Sequence, residues 1–134
     1  MRRDAPSNEP RLRQWWSVIT ILLVTAIFIE TAFAGAMLSG EGWARAAHSL
    51  NALVLIASAT ATGLVAVITL RHIPHGTKLG LTLLSLAAAV FLQIAVGKLS
   101  AGGANLMWVH VPLGAALIGF AGLAAANARR LGRE

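Results

Sequence analysis

The sequence predicts an all-α integral membrane protein, an up-down four-helix bundle in a single domain. Of its 134 residues, 57% are hydrophobic and only 12% are charged, about half the charged fraction of a soluble domain. Four apolar stretches of roughly 20 or more residues are each long enough to cross a hydrocarbon core of ~30 Å as a helix. The connections between them are short, which makes consecutive helices antiparallel neighbours.

The four predicted spans leave no room for a separate soluble domain. To within a few residues, they cover Trp16–Leu38, Ala44–Leu70, Leu79–Leu99 and Ala104–Asn127. Residues 1–14 lack apolar periodicity and are predicted to form a cytoplasmic tail. The first span also resembles a cleavable signal peptide at Ala32–Gly35. We favour a retained span, because the apolar run is long for a signal and Glu30 lies just before that site.

The distribution of basic residues predicts the orientation of the bundle. Nine of the eleven Lys and Arg residues flank the two termini and the second connection, whereas only Arg45 and Lys98 lie on the other side. The positive-inside rule then places both termini in the cytoplasm, in a multi-pass protein of the cytoplasmic (inner) membrane. The net charge of +6 follows from this topology and does not indicate nucleic-acid binding.

Tryptophans are predicted to mark the two membrane interfaces. Trp15 and Trp16 would lie at the inner interface, and Trp43 and Trp108 towards the outer one. The chain contains no Cys, which excludes disulfides, thiolate-bound iron–sulfur clusters and covalent haem attachment.

Two histidines within the spans are the main indication of function. His48 and His110 lie near the outer starts of the second and fourth helices, at depths that differ by only about 3 Å at 1.5 Å rise per residue. A histidine inside a membrane helix is costly, so it usually faces a partner or a cofactor. These two helices run in the same direction and lie diagonally in an up-down bundle. We therefore predict that the two imidazoles are the axial ligands of one haem b.

Two further embedded polar residues are predicted to lie at a similar height. Glu30 in the first helix and Gln93 in the third fall in the outer half of the bundle. A carboxyl group in the membrane should be protonated or held by a partner. We expect Glu30 to face the interior and to contact His48, His110 or Gln93.

The residues around the two histidines are suited to a planar ligand. Gly114, one turn beyond His110, is predicted to leave room for the edge of the ring. Arg45 lies one turn outward of His48, and Lys98 borders the same outer face. Either cation could pair with haem propionates.

Other interpretations of these residues remain open. His48 and His110 could hydrogen-bond to each other or to the embedded polar residues as structural polar pairs, or could serve a metal or proton role. Met37 and Met107 could contribute to a soft copper site, although we favour core packing for both.

A second pair of histidines lies in the connection between the second and third spans. His72 and His75 form an H-x-x-H pattern, a spacing that can bind zinc on a helix. Pro74 and Gly76 instead favour a turn at this place. We therefore predict solvated loop histidines.

Part of the chain resembles a known family. The segment Phe91–Gly97, followed by His110 at the head of the next helix, resembles the third and fourth helices of one half of haem A synthase. Ala34–Leu38 through His48 and Asn51–Ala52 is also similar to small bacterial four-helix membrane proteins with paired histidines. The resemblance implies that His48 and His110 are linked to haem. Because this chain has one histidine pair and the synthase has two, it implies haem binding more than haem A synthesis.

These observations predict a small b-type cytochrome-like membrane subunit that binds one haem. It would relay electrons or serve a larger respiratory or haem-handling membrane complex. The alternative is a cofactor-free accessory or assembly subunit. A small transporter or channel is less favoured, because the polar residues do not continue into the inner half. We find no nucleophile–base grouping, so we expect no independent catalytic activity.

Overall fold

The computed structural model, which describes residues 9–133, is entirely helical apart from its turns. Its helices are α1 (Glu9–Leu38), α2 (Ala44–Thr69), α3 (Gly76–Ala101) and α4 (Met107–Arg129). Each is long and apolar enough to cross a membrane. Helices suit that environment because they satisfy all their backbone hydrogen bonds within the segment. The predicted fold class is confirmed.

The helices form a closed ring of four neighbours. Helices α1 and α3 each pack against both α2 and α4, while the diagonal pairs α1–α3 and α2–α4 make no close backbone contact within residues 9–133. We call the end of the bundle with loops 39–43 and 102–106 the site end. The opposite, terminal end holds loop 70–75 and the two ends of the described chain.

Helix α1 begins earlier than the sequence indicated. It starts at Glu9 and not near Trp16, so the prediction that residues 1–14 form a non-helical tail is wrong for residues 9–14. The physical reason is packing, because Leu12 lies against the hydrophobic cluster at the terminal end. Residues 1–8 of the predicted tail lie outside the described residues.

The other helix ends differ from the prediction by three residues or fewer. Helix α3 extends beyond the predicted span at both ends, and α4 begins at Met107 and not near Ala104. The delay in α4 follows from Gly103, whose φ of 102° is a turn conformation that favours glycine. The Leu106 N–H then bonds to the Ala104 carbonyl, which closes the turn before the helix starts.

The terminal end holds the larger of the two buried hydrophobic clusters among the described residues. Its buried cluster contains Trp16, Leu23, Ala66, Leu70, Leu79, Leu83, Ala124, Ala128 and Leu131. The chain beyond α4 folds back over the end, where the Gly132 N–H donates to the Pro74 carbonyl at 3.3 Å. Trp16 is only 6% exposed, so it is a core residue and does not present its ring at the bundle surface. Its neighbour Trp15 is exposed, as an interfacial tryptophan would be.

Helices α2 and α3 approach each other closely at two glycines. A Cβ atom on Gly63 would lie 2.9 Å from Leu84 Cδ2, and one on Gly80 would lie 2.7 Å from the Val67 backbone N. Small residues at helix contacts are how membrane helices bring their backbones together. These two glycines therefore set the α2–α3 spacing in the half of the bundle towards the terminal end.

Polar side chains are also buried towards the terminal end, which the sequence analysis did not anticipate. Asn127 is 1% exposed and donates through Nδ2 to Thr82 Oγ1 at 3.0 Å. Thr20, equally buried, donates to the Trp16 carbonyl at 2.9 Å. Both side chains find partners within the protein, so their burial is accounted for without a ligand.

Candidate functional site

His48 and His110 meet across the bundle at its site end. His48 lies in the second turn of α2 and His110 in the first turn of α4. Their ring centroids are 6.5 Å apart, and the ring planes are inclined at 77°. Because α2 and α4 are diagonal, the two side chains cross the centre of the bundle to reach each other. This is the arrangement that their matched depths led us to expect.

Glu30 and Asn51 hold the ring of His48. Glu30 Oε1 lies 3.1 Å from His48 Nδ1, with both side chains no more than about 20% exposed. The distance between the two atoms is that of an ion pair. The contact is not a hydrogen bond, because its angle at Nδ1 is unfavourable. Asn51 Nδ2 donates to Glu30 Oε2 at 2.7 Å and to the Ala26 carbonyl at 3.0 Å. Glu30 thus lies beside Nδ1 of His48, on the other side of the ring from Nε2.

Asn51 belongs to the site although the sequence analysis did not select it. It anchors the carboxylate that contacts His48. The available signal was its spacing, because residues three apart share one face of a helix. Asn51 follows His48 by three positions.

Gln93 holds His110 from the neighbouring helix α3. Its Nε2 donates to the His110 backbone carbonyl at 2.8 Å and lies 3.4 Å from His110 Nε2. Gln93 Oε1 and His110 Nδ1 are both buried, and neither has a hydrogen-bond partner in the described part of the chain. A buried polar atom without a partner costs about 1–3 kcal/mol. These two atoms therefore have unused capacity to bind a ligand.

Two glycines make room for this side of the site. A Cβ atom on Gly97 would lie 2.8 Å from His110 Cε1, so the imidazole rests directly against the α3 backbone. A Cβ atom on Gly114 would lie 2.8 Å from Gln93 Nε2. Gly114 lines a cavity, and its closest contact is the Gln93 amide. Gly97 is a second site residue that sequence reasoning did not select.

Two cavities flank the histidine pair, and both are lined by His48 and His110. The α1/α4 cavity, of about 390 Å³, is mainly aliphatic and includes Ile27, Ala34, Leu55, Val90, Leu117 and Ile118. The α2/α3 cavity, of about 560 Å³, includes Arg45, Ser49, Leu53, Gly97, Lys98 and Ser100. Their volumes lie in the range usual for small-molecule and cofactor sites.

The remaining candidates take varied positions. Met37 and Met107 line both cavities; Met37 is half-buried and Met107 is exposed. Arg45 and Lys98 are exposed at the α2/α3 cavity and absent from the lining of the other. Gln93 and Glu30 both line the α1/α4 cavity.

The H-x-x-H pair lies at the opposite, terminal end. His72 and His75 are exposed, and Arg71 Nε donates to His72 Nε2 at 2.9 Å. His75 has a φ of 63° and precedes the first residue of α3, so the pair lies in a turn, as Pro74 indicated. Within residues 9–133 no group of three or more His, Cys, Asp or Glu side chains could hold a metal ion.

The site thus combines two facing imidazoles, a carboxylate, an amide and two largely apolar cavities. Such a set can coordinate a metal along one axis or hydrogen-bond a flat apolar ligand. Comparisons of the chain with models of protein families, with curated proteins and with solved structures find no match.

Proposed function

We propose that the chain binds one haem b between His48 and His110 and acts as a small cytochrome-like membrane subunit. The separation of the two rings carries this proposal. Metal–imidazole bonds of about 2 Å on opposite sides of one metal place the ring centres about 6 Å apart. The observed separation is 6.5 Å. This spacing is compatible with ligation of one metal, and it also falls within the range of about 4.5–7 Å of edge-to-face ring pairs that hold no metal.

The contacts around the rings suit axial ligation. A haem held by His48 and His110 would supply one-electron transfer. Glu30, anchored by Asn51, contacts His48 Nδ1. A carboxylate in that position fixes the tautomer of a ligating histidine and raises the basicity of its other nitrogen. On the other side, Gly97 and Gln93 hold His110 in place. The subunit would relay electrons or serve a larger respiratory or haem-handling membrane complex.

A cofactor-free accessory subunit is the second candidate. The observation that favours it is that each histidine already has a polar neighbour, Glu30 for His48 and Gln93 for His110. In that case the four side chains would tie the helices together at the site end. The visible absorption spectrum of protein purified from haem-replete cells separates the two candidates, since only the first requires a chromophore.

Replacing Glu30 with leucine is expected to weaken haem binding by roughly 10–100-fold, as the loss of outer-shell partners does at metal sites. The reason is that His48 loses the group that orients its ring. Titration of the haem-free protein with haem measures the effect. Glu41→Gln is the matched control, because Glu41 is exposed at the same end of the bundle. Equal affinities for the Glu30→Leu variant and the unaltered protein would contradict this role.

We also propose that both termini lie in the cytoplasm and that the site end faces the outer side of the cytoplasmic membrane. Among residues 10–133, Arg45 and Lys98 are at the site end, and the other seven Lys and Arg residues are at the terminal end. Reporter fusions after Gly40 and Gly103 should read outside, and fusions after Pro74 and at the C-terminus inside. Opposite readings at the two ends of the chain would rule out four spans.

A further inference from the structure

The two cavities beside the histidine pair differ in charge. Arg45 and Lys98 line the α2/α3 cavity, and none of its lining residues is acidic. The α1/α4 cavity has no basic lining residue apart from the histidines, and its one carboxylate, Glu30, is engaged by Asn51 and His48. The space around the rings is therefore cationic on one side and apolar on the other.

Among the described residues, no carboxylate pairs with either of the two cations. In the part of the chain that the structure describes, neither Arg45 nor Lys98 forms a salt bridge, since the one ion pair joins His48 and Glu30. Ser100 Oγ, in the lining of the same cavity, is buried without a hydrogen-bond partner among the described residues. Two cations and one hydroxyl are thus available to an anionic group.

The positive charge of Arg45 is not stabilised by its own helix. It lies in the first turn of α2, where the positive end of the helix dipole disfavours a cation. Arginine binds carboxylates through two parallel hydrogen bonds, for which its planar group is well suited. An anionic ligand in the α2/α3 cavity would give this side chain the partner that the helix does not provide.

We propose that the α2/α3 cavity binds the carboxylate edge of a tetrapyrrole through Arg45 and Lys98, while the apolar edge enters the α1/α4 cavity. This inference rests on the proposed function, because it takes the ligand between His48 and His110 to be a haem. The inference also specifies how that ligand is oriented in the bundle. The polar edge points between α2 and α3, and the hydrocarbon edge lies among aliphatic side chains of α1 and α4.

Iron-free porphyrin tests this orientation apart from axial ligation. Protein purified without haem, in nanodiscs of zwitterionic lipid, is titrated with protoporphyrin and with its dimethyl ester. Charge-assisted hydrogen bonds should make the dicarboxylate bind at least about tenfold more tightly. In the Arg45→Gln/Lys98→Gln variant the two affinities should become equal. Arg71→Gln/Lys78→Gln, at the terminal end, is the matched control and should keep the preference.

Two further binding measurements distinguish the possible explanations of the preference. The preference should persist in the His48→Ala/His110→Ala variant, because a ligand without iron needs no axial imidazole. Persistence there, together with an unaltered protein that forms no low-spin haem, would support the cationic cavity and reject the proposed function. Equal binding of acid and ester by the unaltered protein, or a preference unaffected by the Arg45 and Lys98 changes, would overturn the inference. Loss of the preference in phosphatidylglycerol nanodiscs would assign the cavity to a lipid headgroup and would overturn it too.

Discussion

Replacing His48 or His110 with alanine is expected to abolish the low-spin b-type absorption bands of the reduced protein or to convert them to a high-spin spectrum. Each substitution removes one of two imidazoles whose centroids lie 6.5 Å apart, and six-coordinate iron needs both. Neither residue belongs to the buried cluster at the terminal end, so both variants should still insert. Absorption spectra of equal amounts of purified protein measure the change.

The other two histidines provide the control. His72 and His75 are exposed in the turn at the terminal end, far along the bundle from the cavities. His72→Ala and His75→Ala should therefore leave the spectrum unchanged. A folded, colourless protein from haem-replete cells would reject haem binding and favour the accessory-subunit interpretation.

Replacing Gly80 with valine should cause a large loss of stability. The new Cβ would lie 2.7 Å from the Val67 backbone N and 2.6 Å from its Cγ2, so α2 and α3 must separate. Overpacking of this kind costs typically about 1–3 kcal/mol in the free energy of unfolding, and backbone contacts give little room to relax. Denaturant unfolding in detergent micelles, followed by loss of helicity, measures this free energy.

Two glycines of α4 serve as controls for that substitution. A Cβ atom on Gly119 or Gly122 would meet nothing within 4 Å. Gly119→Val and Gly122→Val make the same chemical change in a helix of the same bundle, without the steric conflict. If these variants lost as much stability as Gly80→Val, the close α2–α3 contact would not be the cause.

The fold could be predicted because length and hydropathy are sufficient to locate membrane helices. The predictions failed at residues whose positions are not determined by the apolar pattern of the sequence. Arg11 and Arg13 interrupt the hydrophobic pattern, yet helix α1 continues through them because Leu12 packs on the terminal cluster. Trp16 was assigned to an interface by residue type, whereas tertiary packing buries it beside Leu23 and Leu131.

The depth of the two histidines along their helices could be predicted from the sequence. The side of each helix that faces the site was harder to predict. Matched depth and diagonal packing were enough to expect His48 opposite His110. Gly97 and Asn51 depend on how α3 and α2 are rotated about their axes, and an apolar helix surrounded by lipid has a weak polar face to indicate that rotation. Their roles became visible only through the contacts with His110 and Glu30.

The location of the buried cluster at the terminal end bears on which residues of the chain can change during evolution. That cluster shares no residue with the lining of the two cavities, and substitutions at well-separated sites usually have additive effects on stability. The second buried cluster, in contrast, shares Ile27, Leu55, Val90 and Leu117 with the lining of the α1/α4 cavity. Variation at exposed residues such as Arg45 and Lys98 can therefore alter the α2/α3 cavity with little penalty for the fold, whereas changes at the shared core residues affect stability and the shape of the α1/α4 cavity together.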